Sequence, residues 1–302
     1  ADKVSLPAAS PDSMIDVVDI TLPALPAALE GFRIAHLTDL HISRERGRYR
    51  TLLRTLESLE ADIVLPTGDD MNSIGEEPTV DRGRRGMSKK MRPRLGVFGV
   101  YGNHDTHALR ERFNDLPVRW MSNERLALPG LPVDLLAFDY DKHKRPDPLM
   151  VIDRRLANSV GKPPEGIADR RAATQTNGNG DGSTGGTGGT GGRRIKLLLC
   201  HYPTMLPTAS DMGIDIMFSG HTHGGQWRLP RKLAFYTASD LPGHLCAGVI
   251  RHHDTLAVVS RGIGETFVPL RILCPPHLPV YTLKRGDLPG KWTEHFENVR
   301  PW

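Results

Sequence analysis

Ile63-Val64-Leu65-Pro66-Thr67-Gly68-Asp69 is a short apolar run that stops at a glycine and a carboxylate. A run of that length, bounded by turn residues, is expected to be a buried strand. The same form recurs four times. Arg33 to Leu37 leads into Asp39-Leu40-His41, and Leu95 to Tyr101 into Gly102-Asn103-His104-Asp105. Lys196 to Leu199 leads into Cys200-His201, and Ile214 to Phe218 into Gly220-His221-Thr222-His223. Polar loops behind several buried strands are how α/β folds build a site along one sheet edge. The intervals agree: 30 residues separate Asp39 from Asp69 and 34 separate Asp69 from Asn103. Each leaves room for a strand–helix–strand return to the same edge. Thr51 to Glu60 supplies the first helix, with Leu52, Leu53, Leu56 and Leu59 at helical spacing. Met14 to Leu22 alternates as a strand before Gly31 breaks the chain, and Leu256 to Leu283 reads as β-rich and turn-broken.

Brought to one edge, these loops offer two aspartates, one asparagine and four histidines as oxygen and nitrogen donors, with His104 left over. That inventory suits two divalent cations sharing a carboxylate, Asp69. The absence of thiolate favours Mn, Fe, Zn or Ni over a sulfur-selecting site. A two-metal site promotes in-line displacement at phosphorus. Taken singly, Asp-x-His or Gly-Asp is an ordinary turn or cap; five such motifs in order point to a site.

The 302 residues are 38% hydrophobic and 25% charged, enough to bury a full core rather than stay disordered. No apolar run approaches the roughly 20 residues needed to span a bilayer. Cys200, Cys246 and Cys274 are too few and too scattered for a disulfide framework or a zinc finger, and read as small core residues. Asn177 to Gly192 holds nine glycines in 16 residues and reads as a flexible insertion with too little apolar surface to fold. The charge is local. Arg82 to Arg94 carries seven basic residues and no acid, Arg44 to Arg50 is net +3, and without them the chain's +4 becomes −6. Both runs follow site loops, so a basic rim is expected to attract a phosphorylated substrate or an anionic membrane. Only Tyr49 interleaves them, which argues against a nucleic-acid groove.

Other residues receive plainer readings. His36 is a strand histidine turned away from the Asp39 loop. His107, His143, His244, His252, His253, His277 and His295 are surface or cap residues. Asp70 and Asn123 serve loops. Asp105 either orients a ring or caps the next helix. Asp139 and Asp141 lie in the region between Asp105 and His201, which is expected to shape the substrate pocket.

The ordered set D-x-H, G-D, G-N-H-D, H and G-H-x-H, from about Arg33 to His223, resembles the calcineurin-like metallophosphoesterase superfamily. Gly220-His-Thr-His-Gly-Gly-Gln226, Ser260-Arg-Gly-Ile-Gly264 and Pro269-Leu-Arg271 are similar to its bacterial branch of envelope phosphoesterases, which includes UDP-2,3-diacylglucosamine pyrophosphatases. The resemblance implies a four-layer α/β/β/α sandwich: one domain over residues 31–302, an N-terminal extension and first strand in 1–30, and the 177–192 insertion. It implies Asp39, His41 and His223 on one cation, Asn103, His201 and His221 on the other, and Asp69 between them. It makes His104 a catalytic residue that is not a ligand, with Asp105 beside it. It implies hydrolysis of a phosphoester or phosphoanhydride bond by a hydroxide between the cations, His104 assisting the leaving group. The substrate would be a lipid-linked or nucleotide pyrophosphate or a phosphodiester, met at the cell envelope or a membrane surface. A nuclease or cyclic-nucleotide phosphodiesterase of the same superfamily is the enzymatic alternative, and a non-catalytic metal-binding scaffold the alternative of another class.

Overall fold

In a computed structural model the chain is described over residues 14–42, 46–139, 193–228, 234, 237, 239 and 242–288. The glycine-rich insertion, Asp141, His143, His295 and part of the Arg44–Arg50 run lie outside these residues.

The apolar runs become strands buried on both faces. Strand β1 is Ile15–Leu22, β2 Arg33–Leu37 and β3 Ile63–Pro66. Between β2 and β3 runs α1, Arg46–Glu57, which starts before its apolar period and buries Leu52 and Leu56 one turn apart. After β3 comes α2, Glu77–Ser88, then a short β4, Phe98–Gly99. The run Leu95–Tyr101 is cut down to two residues of strand; Gly96, at φ 106, breaks it from below. The next elements are α3 (His107–Arg112), β5 (Arg119–Trp120), β6 (Glu124–Ala127) and β7 (Val133–Phe138). Strand β8 (Ile195–Cys200), α4 (Leu206–Asp211) and β9 (Ile216–Ser219) follow. Strands β10 (Gly248–His252), β11 (Thr255–Val259) and β12 (Leu278–Arg285) complete the order.

Two main sheets form. The first has the order β1-β12-β2-β3 and the second β10-β11-β9-β8-β7-β6; β4 and β5 pair separately. Strand β1 is no appendage: it runs parallel to β12 over eight residue pairs, from Ile15↔Leu278 to Leu22↔Arg285. Side chains alternate between two cores, as the strand period requires. Ile34 of β2 and Leu197 and Leu199 of β8 fill the space between the sheets. Ala35 and Leu37 of β2 face α1, α2 and α3, and Leu198 and Cys200 of β8 face α4. The result is helices, sheet, sheet, helix: the four expected layers. Strands buried on both sides lack polar alternation, which is why they read as continuous apolar runs. The three cysteines are free and buried.

Candidate metal centre

The loops leaving the C-terminal ends of β2, β3, β8 and β9 meet where the edges of the two sheets come together. Backbone bonds lash them in place. Asp39 N–H donates to Gly68 O, His41 N–H to Asp69 O and Ile42 N–H to Asp70 O. Gly264 N–H donates to Asp39 O, tying on the loop after β11. Further bonds join the two sheets, among them His201 Nδ1–H to Thr67 O at 2.7 Å and His221 N–H to Asp39 Oδ1 at 3.0 Å.

Five of the seven expected ligands sit in left-handed backbone: Asp39 (φ 49), His41 (38), Asp69 (57), His221 (71) and His223 (52). Such residues cost of order 1–3 kcal/mol each and persist only where the surroundings over-determine them. Here the surroundings are tight glycines. A Cβ on Gly102 would run into the Asp69 carboxylate, and one on Gly262 (φ 67) would meet Asp39 Cβ at 2.5 Å.

Two donor groups result. In Asp39, His41 and His223, and again in Asp69, His201 and His221, one donor atom per residue lies within 4.8 Å of the others. His41 Nε2 is 3.0 Å from His223 Nε2, which is 3.4 Å from Asp39 Oδ1. His201 Nε2 is 3.1 Å from Asp69 Oδ2. That same Oδ2 is 3.9 Å from His41 Nε2, so one oxygen of Asp69 faces both groups. The other, Oδ1, accepts the His104 N–H at 2.9 Å. All six residues are buried except His221, which is half-buried.

The electrostatics show what the groups lack. Burial pushes the Asp39 carboxyl up to about 6, against the pull of His201. Burial holds His41 down at about 4, and drives His223 well below its ordinary 6.5 with help from His41 and Arg271. Burial also acts on His201, but the Asp69 charge and hydrogen bond outweigh it and raise His201 to about 9. Asp69 is correspondingly held well below the carboxylate range by His201, although burial opposes this. In the first group every member is driven toward its neutral form, and two ring nitrogens face each other across 3.0 Å. A divalent cation fits both observations: it supplies the missing charge and accepts the converging lone pairs. His201 is set for that role, because its Nδ1 proton goes to Thr67 O and leaves Nε2 as the donor atom.

Asn103 lies exposed in the turn before His104. The His104 ring is edge-on to His41 at 5.2 Å. Its Nδ1 is 3.1 Å from Asn72 O, which places the ring proton on Nδ1 and leaves Nε2 available. Asp105 neither orients a ring nor caps a helix. Its carboxylate accepts N–H bonds from Asp69, Gly102, Asp70 and Met71, pinning the two loops together, while Thr106 caps α3. Burial, then the charges of Asp70 and Asp69, push this carboxyl up to about 7 against the pull of the Gly102 N–H. All four contacts are with backbone N–H groups, so in this structure the carboxylate holds the two loops together. Asp139 does not join either donor group; it binds Arg110 Nη1 at 3.0 Å, and Arg110 Nε donates to Asp105 O.

Several residues play parts that sequence reading missed. Arg271 donates to the carbonyls of His223, Arg261, Gly264 and Cys274, so its guanidinium is spent on holding site loops. The Tyr202 ring packs 4.4 Å from that of His221; its place directly after His201 was the available signal. His277, expected at the surface, is fully buried and its Nδ1 lies 3.2 Å from Ser260 Oγ, because the loop before β12 tucks beneath the one after β11. Neither loop has a periodicity from which burial could be read.

The Arg82–Arg94 run is less of a basic patch than its composition implies. Arg84 is fully buried and 3.5 Å from Asp70. Arg85 pairs with Asp81 and Asp115, Lys90 with Glu57 and Arg94 with Asp62. A concavity of about 620 Å³ lined by Leu22, Lys196, Asp215 and Thr255, among others, opens at the opposite edge and contains none of the donor residues. Among the described residues, no helix is long and apolar enough to cross a membrane.

The pattern of the calcineurin-like phosphoesterase family matches residues 32–225. The metallophosphoesterase YkuE of Bacillus subtilis (strain 168) is 25% identical over 289 residues, covering 90% of this chain and 86% of that protein. The UDP-2,3-diacylglucosamine pyrophosphatase LpxG of Chlamydia trachomatis is 26% identical over 282 residues, 85% of each chain. A Danio rerio transmembrane protein with a metallophosphoesterase domain is 27% identical over 292 residues, covering 92% of this chain and 59% of that protein.

Proposed function

This chain belongs to the calcineurin-like phosphoesterase family, and on that premise we propose that it hydrolyses a pyrophosphate bond in a lipid-linked substrate, using two divalent cations. The observation that carries the reading is the single oxygen, Asp69 Oδ2, facing His201 at 3.1 Å and His41 at 3.9 Å, with Asp39, His41 and His223 gathered on one side and His201 and His221 on the other. Asp39, His41 and His223 would hold one cation, and Asn103, His201 and His221 the other. Such a pair supplies Lewis-acid stabilisation of phosphoryl oxygens and a lowered pKa for water. The chain's own groups do the rest. His104, its Nδ1–H fixed on Asn72 O, would act with a second proton on Nε2 and pass that proton to the departing oxygen, returning to the neutral ring. Asp105 keeps the Asp69 loop against the Gly102 turn, so that His104 and the shared carboxylate hold one geometry. A lipid-linked pyrophosphate as substrate is supported by the LpxG relative, whose name gives a diacylated nucleotide sugar as what that protein acts on.

The test is turnover by metal-stripped protein after Mn²⁺ is added back, with bis-p-nitrophenyl phosphate and with UDP-2,3-diacylglucosamine. We expect metal-dependent hydrolysis of both, lost in Asp69→Asn. His104→Ala should keep its bound metal and lose about 10²–10⁴ in kcat; equal loss of metal in that variant would refute the proton-transfer role. Turnover of the soluble diester alone would refute the lipid-linked substrate and leave the hydrolase.

A further inference from the structure

We propose that the loop Thr266–Leu273, together with Trp227, is a wedge that docks this protein on a lipid bilayer beside its metal centre. Large apolar side chains left in water are the signal. Phe267 is 83% exposed and Leu273 63%, with Val268, Leu270, Ile272 and Trp227 each 40% or more. They form one surface: Trp227 bridges Ile272 in parallel, and Trp227 Nε1–H donates to Leu270 O at 2.8 Å. Phe267 (φ 60) and Leu273 (φ 50) are held in left-handed backbone, a strained conformation for bulky residues, and both point into solvent. Arg271, in the middle, turns inward to the carbonyls of His223 and Gly264, which leaves the outer face apolar and fixes it next to the donor groups.

The backbone of the loop suits a bilayer, since alternate residues along it have their peptide groups bonded within the protein. A segment entering hydrocarbon must satisfy its own peptide groups, because lipid tails offer none. The carbonyls of Thr266 and Val268 both accept from Gln226 Nε2, that of Leu270 from Trp227, and that of Ile272 from Arg228 N–H. Thr266 N–H donates to Gln226 Oε1, and Ile272 N–H to Gln226 O. The N–H groups of Val268 and Leu270 close tight turns on Thr266 O and Val268 O, and Pro269 has none to satisfy. Charge is consistent with this: from Thr266 to Leu273 the loop has no carboxylate, and its one cation, Arg271, is turned inward, which leaves the outer face uncharged, as a lipid surface requires. The docking surface does not depend on catalysis; the hydrolase reading only gives it a purpose, bringing the centre to a substrate that stays in the membrane.

The experiment is flotation of the full chain with phosphatidylcholine–phosphatidylglycerol vesicles, at low salt and at about 1 M salt, where charges more than about 3 Å apart are screened. The wild type should float in both. Phe267→Gln with Leu273→Gln should lower vesicle partitioning at least about tenfold, while the melting temperature and turnover of bis-p-nitrophenyl phosphate stay unchanged. A Trp227→Phe variant should lose a fluorescence signal that brominated lipid quenches in the wild type. No flotation, flotation abolished by salt, or flotation indifferent to the double variant would each overturn the proposal. So would a dimer in sedimentation that the double variant dissolves, which would assign the surface to a second copy of this chain.

Discussion

Arg84 puts a guanidinium where no solvent reaches it. Its neighbours are Asp70 Oδ1 at 3.5 Å and the Trp120 ring at 5.5 Å, and that ring in turn stacks on Tyr101 at 4.3 Å. None of the guanidinium nitrogens makes a close hydrogen bond. Breaking such a pair from one side is strongly destabilising, because the remaining charge stays buried. Arg84→Met should therefore cost about 3–5 kcal/mol in urea unfolding, and adding Asp70→Asn should restore much of it. A cost in the double variant equal to that of Arg84→Met would show that packing, not the pair, matters. Sequence alone hid this residue twice. It sat within a run of seven basic residues that read as a solvated rim, and Asp70 read as a loop residue. The chemistry-bearing residues were legible because glycine, carboxylate and imidazole at strand ends have few other uses in that order. A buried arginine leaves no such mark, since its partner lies far off in the chain.

At the scale of elements, the strands that carry the site were the easiest to find. The run at β8 is apolar from Leu197 to Cys200 because both of its faces are covered there. Strand β7 is just as buried but carries Asp134, which Arg125 and Arg194 neutralise from β6 and from the start of β8; one charge in the middle of the run disguised it. Helix α2 was hidden in a different way. Its buried face is Val80, Gly83, Arg84 and Met87, a mixture no hydrophobic period detects. What no pattern foretold was the left-handed backbone at the loop ends. Only the glycines hinted at it, and they give a prediction. Gly102→Ala would drive a Cβ into the Asp69 carboxylate. The variant should stay folded, because Gly102 itself fills no part of the apolar cores, yet lose both metal binding in calorimetry and turnover. Full metal stoichiometry in Gly102→Ala would mean the Asp69 loop has room to yield.

For the molecule as a whole, two interior histidines away from the donor groups lower its tolerance of acid. His277 faces Ser260 and Asp16, with Arg261 and Arg271 near; His36 faces Thr67, Phe218 and Tyr281. Burial lowers both below 6.5, His277 to about 4 and His36 to about 3. A depressed folded pKa means the unfolded chain takes up protons first. The stability that His277 contributes is thus complete above 6.5 and is lost as pH drops from 6.5 through about 4. His277→Gln should flatten the fall in unfolding free energy across that window, by up to about 3 kcal/mol at its acid end. Parallel curves for wild type and variant would mean that His277 titrates alike in both states.

One more consequence lies in the position of β12, wedged between β1 and β2. During synthesis on a ribosome, every expected ligand has been made once His223 is added, but the strand that joins the first sheet into one piece has not. Until Leu278 and its neighbours arrive, β1 has no partner and β2 lacks one edge. A nascent chain stalled before β12 would carry all its donors and still leave one sheet open, with the apolar face of β1 exposed to chaperones.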